Sequence, residues 1–577
     1  MTEVEQNTYD VIVVGAGAAG MAAACTAAAL GQRVLLVEGS SRVGGTTAIS
    51  GGMVWIPANH KMAEAGLEDS PALAHAYLES TVPGAAGSAN LDRFLARGDE
   101  AITFLEAHTT LRLRPVRRYP DYYPDHLGAT AGGRVLEPEP FDGRALRGDF
   151  ALLRDPLPEF LLFGGMMVSR EDLPILRKVT SSPRAMWHAA KLALRYAAQR
   201  LRAHRGTTLF LGNALAARLL ASLRQLGVEL KTDTPVQGLL TQQGRVAGVW
   251  ADVKGSSVLM RARRGVVLAT GGISHHGALR QRYIPAAAGE LSATVNPNPS
   301  KSGVALAEVS GARLSTPSQQ LDDALAFWVP ASVGKRSDGT TAVFPHTVTD
   351  RAKPGLIAVN QDGVRFVNEA VSYHEFVRAQ LRRADRCSPA WLVCDRTFLW
   401  KYGLGRVRPF ALSLRRELDS GYLKVGATLD ELAAAINVPA SSLARTVETF
   451  NMAAKDGRDP EFGRGSNIYQ RHLGDVECQP NPCVAPLVRP PYYAVAVHPA
   501  DLGMAAGVIA DADARALRPD GSVIEGLYVC GNDMHSVMNG AYPGPGITLG
   551  PALVFGYLAA LHASERTVLR EAAAAVA

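Results

Sequence analysis

The chain has 577 residues, 47% of them hydrophobic, and carries a formal net charge of +6. That length suits several domains, or one large α/β domain with a second inserted into it, and so modest a charge without a nucleic-acid motif excludes nucleic acid as a partner. The six cysteines, at 25, 387, 394, 478, 483 and 530, follow no C-x-x-C, haem or zinc spacing, which excludes a metal site and fits a reduced, cytoplasmic protein.

The first residues, MTEVEQNTYD, are acidic and polar, so they predict no secretion signal. Tyr9–Val14 then reads as a short β-branched strand, GAGAAG over 15–20 as a turn, Met21–Leu30 as an Ala-rich helix, and Arg33–Val37 as a second strand closed by Glu38. In that order they predict a dinucleotide fold. Gly15 turns the chain, Gly17 admits a pyrophosphate, Gly20 lets helix and strand pack, Ala18 and Ala19 in the turn join the cofactor contacts, and Glu38 reaches a ribose hydroxyl. A second glycine-rich loop follows over 44–52, GGTTAISGG, with Gly45, Thr46, Thr47, Ser50, Gly51 and Gly52.

Farther along, residues 173–228 hold ten Lys or Arg and no acid, and 183–205 read as a basic amphipathic helix. Such a helix predicts a solvated face or peripheral contact with an anionic membrane surface. VVLATGG at 266–272 and GLYVCGND at 526–533 are strand ends followed by glycine turns. Between them, Gly355–Glu369 reads as two extended runs joined in a hairpin at 361–363, and 430–451 as helices around a loop at 437–439. Near the end, NGAYPGPGITLG over 539–550 sets Tyr542 four residues before Gly546. A phenol and a glycine N–H are two neutral donors that can converge on one carbonyl oxygen. The same residues also read as a turn that caps a helix over 549–560.

The four glycine motifs, in this order, resemble those of the fumarate reductase-like FAD flavoproteins. The resemblance implies an α/β fold with a Rossmann-type FAD-binding domain over 1–285 plus 488–577 and an inserted α+β catalytic (capping) domain over 286–487. Substrate is expected where the two meet. It also adds Val236, Thr270, Gly271, Gly531, Asn532, Gly546 and Leu549 to the flavin contacts. No histidine stands in 44–52, so FAD is expected to be held non-covalently. Fumarate and succinate enzymes clamp two carboxylates with arginine and histidine, yet 539–551 contain neither. A ketone substrate fits those residues better.

With that in place, the chain more closely resembles the 3-ketosteroid Δ1-dehydrogenases. Their Y-P/A-G-x-G segment matches Tyr542 and Gly546, their N-E-x-x-x-Y motif matches Asn368–Tyr373, and their P-D-Y motif matches Pro120–Tyr122. The resemblance implies that Tyr542 and Gly546 polarise the steroid C3 ketone, Tyr373 removes the C2 proton, Tyr122 relays it, and C1 gives a hydride to flavin N5. A phenol ordinarily titrates near ~10, so Tyr373 needs a hydrogen bond from Tyr122 or a nearby positive potential. Two neighbours stay open as alternatives: Tyr123 as the relay, and His374 as the base. Rival functions are a 3-ketosteroid Δ4(5α)-dehydrogenase and a reductase of an unsaturated acid. A quinone or another acceptor would reoxidise the flavin, and membrane contact would suit both quinone and steroid.

Overall fold

The computed structural model describes residues 7–576 except 180, 296–301, 319, 321–322, 337–338 and 348–349, with the backbone alone over 566–576. The acidic start over 1–6 lies outside the described residues.

Thr8–Val14 is rich in Val and Ile and buried on both faces, as a central parallel strand must be. It pairs in parallel with Val34–Val37 on one side and Ser256–Leu268 on the other. The sheet extends in parallel to Glu229–Lys231 at one end and Val523–Val529 at the other, where Arg515–Leu517 adds an antiparallel edge. Val236–Gln242 and Arg245–Val253 form a meander against the first half of Ser256–Leu268. The expected strand–turn–helix–strand order holds, the helix being Ala18–Ala29. That helix is apolar all round because it is sandwiched, and small residues permit a close approach. A β-carbon on Gly556, in the long helix Leu549–Val576, would lie 2.5 Å from the Ala19 carbonyl oxygen.

A second sheet is antiparallel throughout, in the order Thr341–Pro345, Ala326–Lys335, Tyr492–Met504, Ala390–Asp395, Leu356–Val359, with Lys424–Gly426 also on Tyr492–Met504. Its central strand therefore lies beyond residue 488. The hairpin expected over 355–369 does not form. Leu356–Val359 pairs instead with Ala390–Asp395, and past 363 only a single bridge, Val359 to Arg365, remains. Beyond that bridge Arg365 is committed to a buried ion network with Glu369 and Asp459 in place of further strand pairing. The helices expected over 430–451 are Leu429–Ile436 and Ala440–Ala454, and the basic helix is Pro183–Arg200. A third, three-stranded sheet of Val54–Trp55, Val135–Pro138 and Leu113–Pro115 supports the loop that carries Tyr122.

Candidate active site

The parallel strands Thr8–Val14, Val34–Val37, Ser256–Leu268 and Val523–Val529 end at one edge of the first sheet, where a doubly wound fold binds its ligand. There Gly17 leads into Ala18–Ala29, and no atom lies within 4 Å of where its β-carbon would stand. This opening in front of a helix N-terminus suits a pyrophosphate. The second loop borders it: the Thr47 hydroxyl accepts from the Ala18 N–H at 3.1 Å, and Thr46 accepts from the Val295 N–H at 3.0 Å. Ser50 turns inward to Thr47 and Gly52. Gly45 faces Gly17, and Gly51 and Gly271 are open. Glu38 ends its strand with one carboxylate oxygen on the Ala16 N–H at 2.8 Å and the other on the Ser40 N–H at 2.9 Å. Both oxygens keep a lone pair for a ribose. Val236 is buried in the meander beside Ala251.

Asp533, the last residue of GLYVCGND, staples the two late motifs together. It accepts from the Thr270 N–H and hydroxyl and from the Gly272 N–H. Gly531 and Asn532 therefore meet Thr270 and Gly271 at the same edge, close to the helix that Leu549 begins. Glycines, helix terminus and acid together fit FAD.

Beside this edge the tyrosines meet. Tyr122 donates to the Tyr373 hydroxyl at 3.0 Å. The Tyr542 ring lies 5.1 Å from Tyr373, nearly perpendicular, and 5.7 Å from Tyr122, stacked. Gly546 has φ +97, and a β-carbon there would lie 2.6 Å from the Met53 carbonyl oxygen. Among the described residues none accepts from the Gly546 N–H. The turn reading of this segment holds as well, because the Gly550 N–H donates to Gly546 at the start of the helix.

Each tyrosine is held by a different device. The Pro543 carbonyl accepts from the Tyr122 N–H at 2.9 Å and from the Tyr77 hydroxyl at 2.6 Å, which joins the Tyr122 loop to the Tyr542 segment. Asp121 anchors that loop from within, accepting from Trp55, Thr130 and Arg134, while Arg134 also pairs with Asp69. Tyr373 opens the helix Tyr373–Leu381, capped by Ser372. The motif's first two residues anchor it: Asn368 binds Phe462 and Gln470, and Glu369 is buried between Arg365 and Arg464.

The two open alternatives now have other partners. Tyr123 donates to Glu375 at 2.9 Å. His374 accepts from the Trp328 N–H at 3.2 Å, and burial pushes it down to about 4, so it is neutral near pH 7. Burial pushes the Tyr542 phenol up to about 12 and the Tyr122 and Tyr373 phenols well above the ordinary range; the hydrogen bond from Tyr122 pulls Tyr373 back in part. A helix N-terminus at Tyr373 acts in the same sense, because it favours an anion.

A crevice runs from Asn532 past His535 and Thr548 to the Tyr542 neighbour Phe327, with Met504, Met534 and Val537 as apolar lining. No Lys, Arg, Asp or Glu lines it among the described residues.

Residues 10–549 match the family described as the FAD binding domain. The chain is 37% identical to the 3-oxosteroid 1-dehydrogenase of Mycobacterium tuberculosis, over 97% of this chain and 98% of that protein. It is 36% identical to the 4-oxocyclohex-2-ene-1-carboxylate 5-dehydrogenase of Sinomonas cyclohexanicum, over 100% of this chain and 98% of that protein. The solved structure of 3-ketosteroid Δ1-dehydrogenase from Sterolibacterium denitrificans in complex with 1,4-androstadiene-3,17-dione matches with a TM-score of 0.89 at 38% identity, covering 97% of this chain and 100% of that one. With the glycine edge and the tyrosine cluster already in view, the chain belongs to the FAD-binding flavoprotein family that includes the 3-oxosteroid 1-dehydrogenases.

Proposed function

We propose that this protein dehydrogenates 3-ketosteroids between C1 and C2, giving the 1-ene-3-ketone. The observation that carries the reading is the Tyr122–Tyr373 hydrogen bond of 3.0 Å packed against Tyr542, four residues before a Gly546 N–H that has no acceptor among the described residues. In this reading the Tyr542 hydroxyl and the Gly546 N–H hold the C3 oxygen and draw electron density from the ring, which acidifies the C2–H bond. Tyr373, as phenolate, takes that proton and becomes a phenol, and Tyr122 passes the proton outward. Bound FAD supplies the acceptor for the hydride that leaves C1. The residues for FAD are Gly15, Gly17, Ala18, Ala19, Gly20, Glu38, the 45–52 loop, Val236, Thr270, Gly271, Gly531, Asn532, Gly546 and Leu549. The first sheet would then be the flavin lobe and the second the catalytic lobe, with Tyr492–Met504 assigned to the latter by its pairing.

The relative that acts on an oxocyclohexene carboxylate raises a second substrate class with the same chemistry at a ketone. A carboxylate in the crevice would need a cation, and no Lys or Arg lines it among the described residues, which favours an uncharged ketone. A Δ4(5α) reaction would need its base elsewhere on the ring than Tyr373. Anaerobic addition of androst-4-ene-3,17-dione should bleach the flavin, and NMR of the product should locate the new double bond at C1–C2. Bleaching by 4-oxocyclohexanecarboxylate alone, or a double bond elsewhere, refutes the reading.

We also propose that the outer face of Pro183–Arg200 and its flanks rests on an anionic membrane, at its cytoplasmic side, where quinone acceptors and steroids are concentrated. Phe163, Trp187, Leu194 and Leu201 are exposed there by 71%, 62%, 68% and 87%, among Arg184, Lys191, Arg195 and Arg202. Apolar tips among cations are the pattern of an interfacial helix. No helix of the described residues is long and apolar enough to cross a membrane. Co-sedimentation with anionic but not neutral vesicles supports the contact, and full solubility with both refutes it.

A further inference from the structure

A buried cation stands behind the tyrosine pair without a carboxylate of its own. Arg351 is 2% exposed. Its guanidinium donates only to carbonyl oxygens: His346 at 3.0 Å, Glu369 at 2.9 Å, and Val371 and Thr347 at 3.3 Å. Among the described residues it forms no salt bridge. The nearest acid, Asp350, is turned elsewhere, with one oxygen on His346 at 2.7 Å and on the Gly405 N–H at 3.1 Å, and the other on the backbone N–H of Arg351 itself. His346 in turn is fixed on Ser332 at 2.8 Å. Serine, histidine and aspartate here line up as in a hydrolase triad, yet all three are sealed from solvent, so they serve as a brace. Glu369 is taken by Arg365 and Arg464.

A charge buried in this way is costly unless an anion forms opposite it. Two of its carbonyl contacts, Glu369 and Val371, belong to the loop that delivers Tyr373, and its Cζ lies 4.9 Å from the ring of Phe376 on the same helix. Arg351 also interacts electrostatically with Tyr469, with Asp350 and with Tyr122. Tyr469 is 1% exposed, its ring is 4.7 Å from that of Tyr122, and its hydroxyl has no hydrogen-bond partner among the described residues. The other groups around the pair are Tyr119 and Tyr542, both phenols, and His374, held neutral. Arg170 and His472 face the far side of Tyr119. Glu375 is occupied by Tyr123 and Arg378. Arg464 also bears on Arg351 but is compensated by Glu369.

We infer that Arg351 is a positioning residue that supplies the positive potential under which the Tyr122–Tyr373 pair gives up a proton and accepts the one from substrate. It holds the loop before Tyr373 by two carbonyls, and its charge, offset in part by Asp350, bears on Tyr122 and Tyr469. This inference rests on Tyr373 being the base.

The test is the pH dependence of kcat/KM in the FAD-loaded enzyme for Arg351→Met, Arg351→Lys and Asp350→Asn. Removing the cation raises the pKa of the phenol, so Arg351→Met should move the ascending limb up by about one pH unit or more. The rate should fall about tenfold near neutrality and converge with the parent at alkaline pH. Arg351→Lys should keep the limb near its original place. Asp350→Asn removes negative charge beside the guanidinium and should move the limb the other way, a sign that damaged packing does not produce. An ultraviolet titration of the holoenzyme should show a phenol step that is absent in Tyr373→Phe and that comes later in Arg351→Met than in the parent. Should Arg351→Met fail to fold, Asp350→Asn and the titration of the parent decide alone. A limb unmoved by both substitutions, or moved the same way by both, overturns the inference while leaving Tyr373 as base. Turnover retained in Tyr373→Phe overturns the base assignment itself.

Discussion

The flavin edge and the tyrosine cluster are built in opposite ways. Most of the first comes from one stretch, residues 8–52, in which strand, glycine turn, helix, strand and acid follow each other, and the backbone does the binding. The second is made of side chains from three distant segments: Tyr122 and Tyr373 hydrogen-bond across a separation of 251 residues, and Tyr542 comes from the far end of the chain. A backbone site tolerates varied side chains but no added bulk at its glycines. A side-chain site tolerates little loss of a hydroxyl.

Substitutions in each region should separate the two designs. The largest effect is expected from Tyr373→Phe. Loss of a general base should lower kcat by about 10³–10⁴-fold, with the flavin absorbance unchanged. Next comes the scaffold beneath the cluster. Asp121→Asn leaves the buried Arg134 half-paired, as Asp69 alone remains, and should cost about 3 kcal/mol. It would be read as a lower Tm together with a loss of turnover.

Tyr542→Phe removes one of two donors to the ketone and should lower kcat/KM about 10²-fold, with less effect on flavin content than on rate. On the flavin side, Gly20→Val would collide with the Gly15 carbonyl oxygen. It should yield protein depleted of FAD, in which any residual holoenzyme keeps its kcat. If that variant retains full flavin, or if Tyr542→Phe loses it, the contrast between the regions fails. The smallest effect on rate is expected from Trp187→Ala, on the exposed face of the basic helix. Turnover with soluble substrate and acceptor should stay within about twofold, because surface changes are nearly neutral, while the fraction sedimenting with anionic vesicles falls.

Much of this is legible in the sequence. The glycine order and Glu38 are local, and so is the loop at 437–439 that divides the two helices. The three tyrosine motifs were recognisable by family resemblance, although nothing in their spacing says that they meet. The hairpin over 355–369 was misread because its turn signal at 361–363 is genuine, but the run beyond it obeys Arg365 and Glu369, whose partners Asp459 and Arg464 lie far along the chain. The anchors Asp121, Asp533 and Arg351 were missed as functional for the same reason. Each looks like an ordinary polar residue until the groups around it are known.

Sequence alone determined the βαβ unit and the glycine turn at its edge, since those depend on contacts between residues a few positions apart. It also supplied three phenols and a glycine of suitable chemistry. Tertiary structure decided which phenol touches which. Tyr122 rather than Tyr123 faces Tyr373, and His374 is spent on the Trp328 N–H. Neighbours in sequence point to different partners once a loop and a helix pack, and a buried hydroxyl takes its pKa from the charges packed around it. For Tyr122 and Tyr373 burial is the largest cause and the neighbouring phenols come next, and only the folded chain brings these groups to the same place.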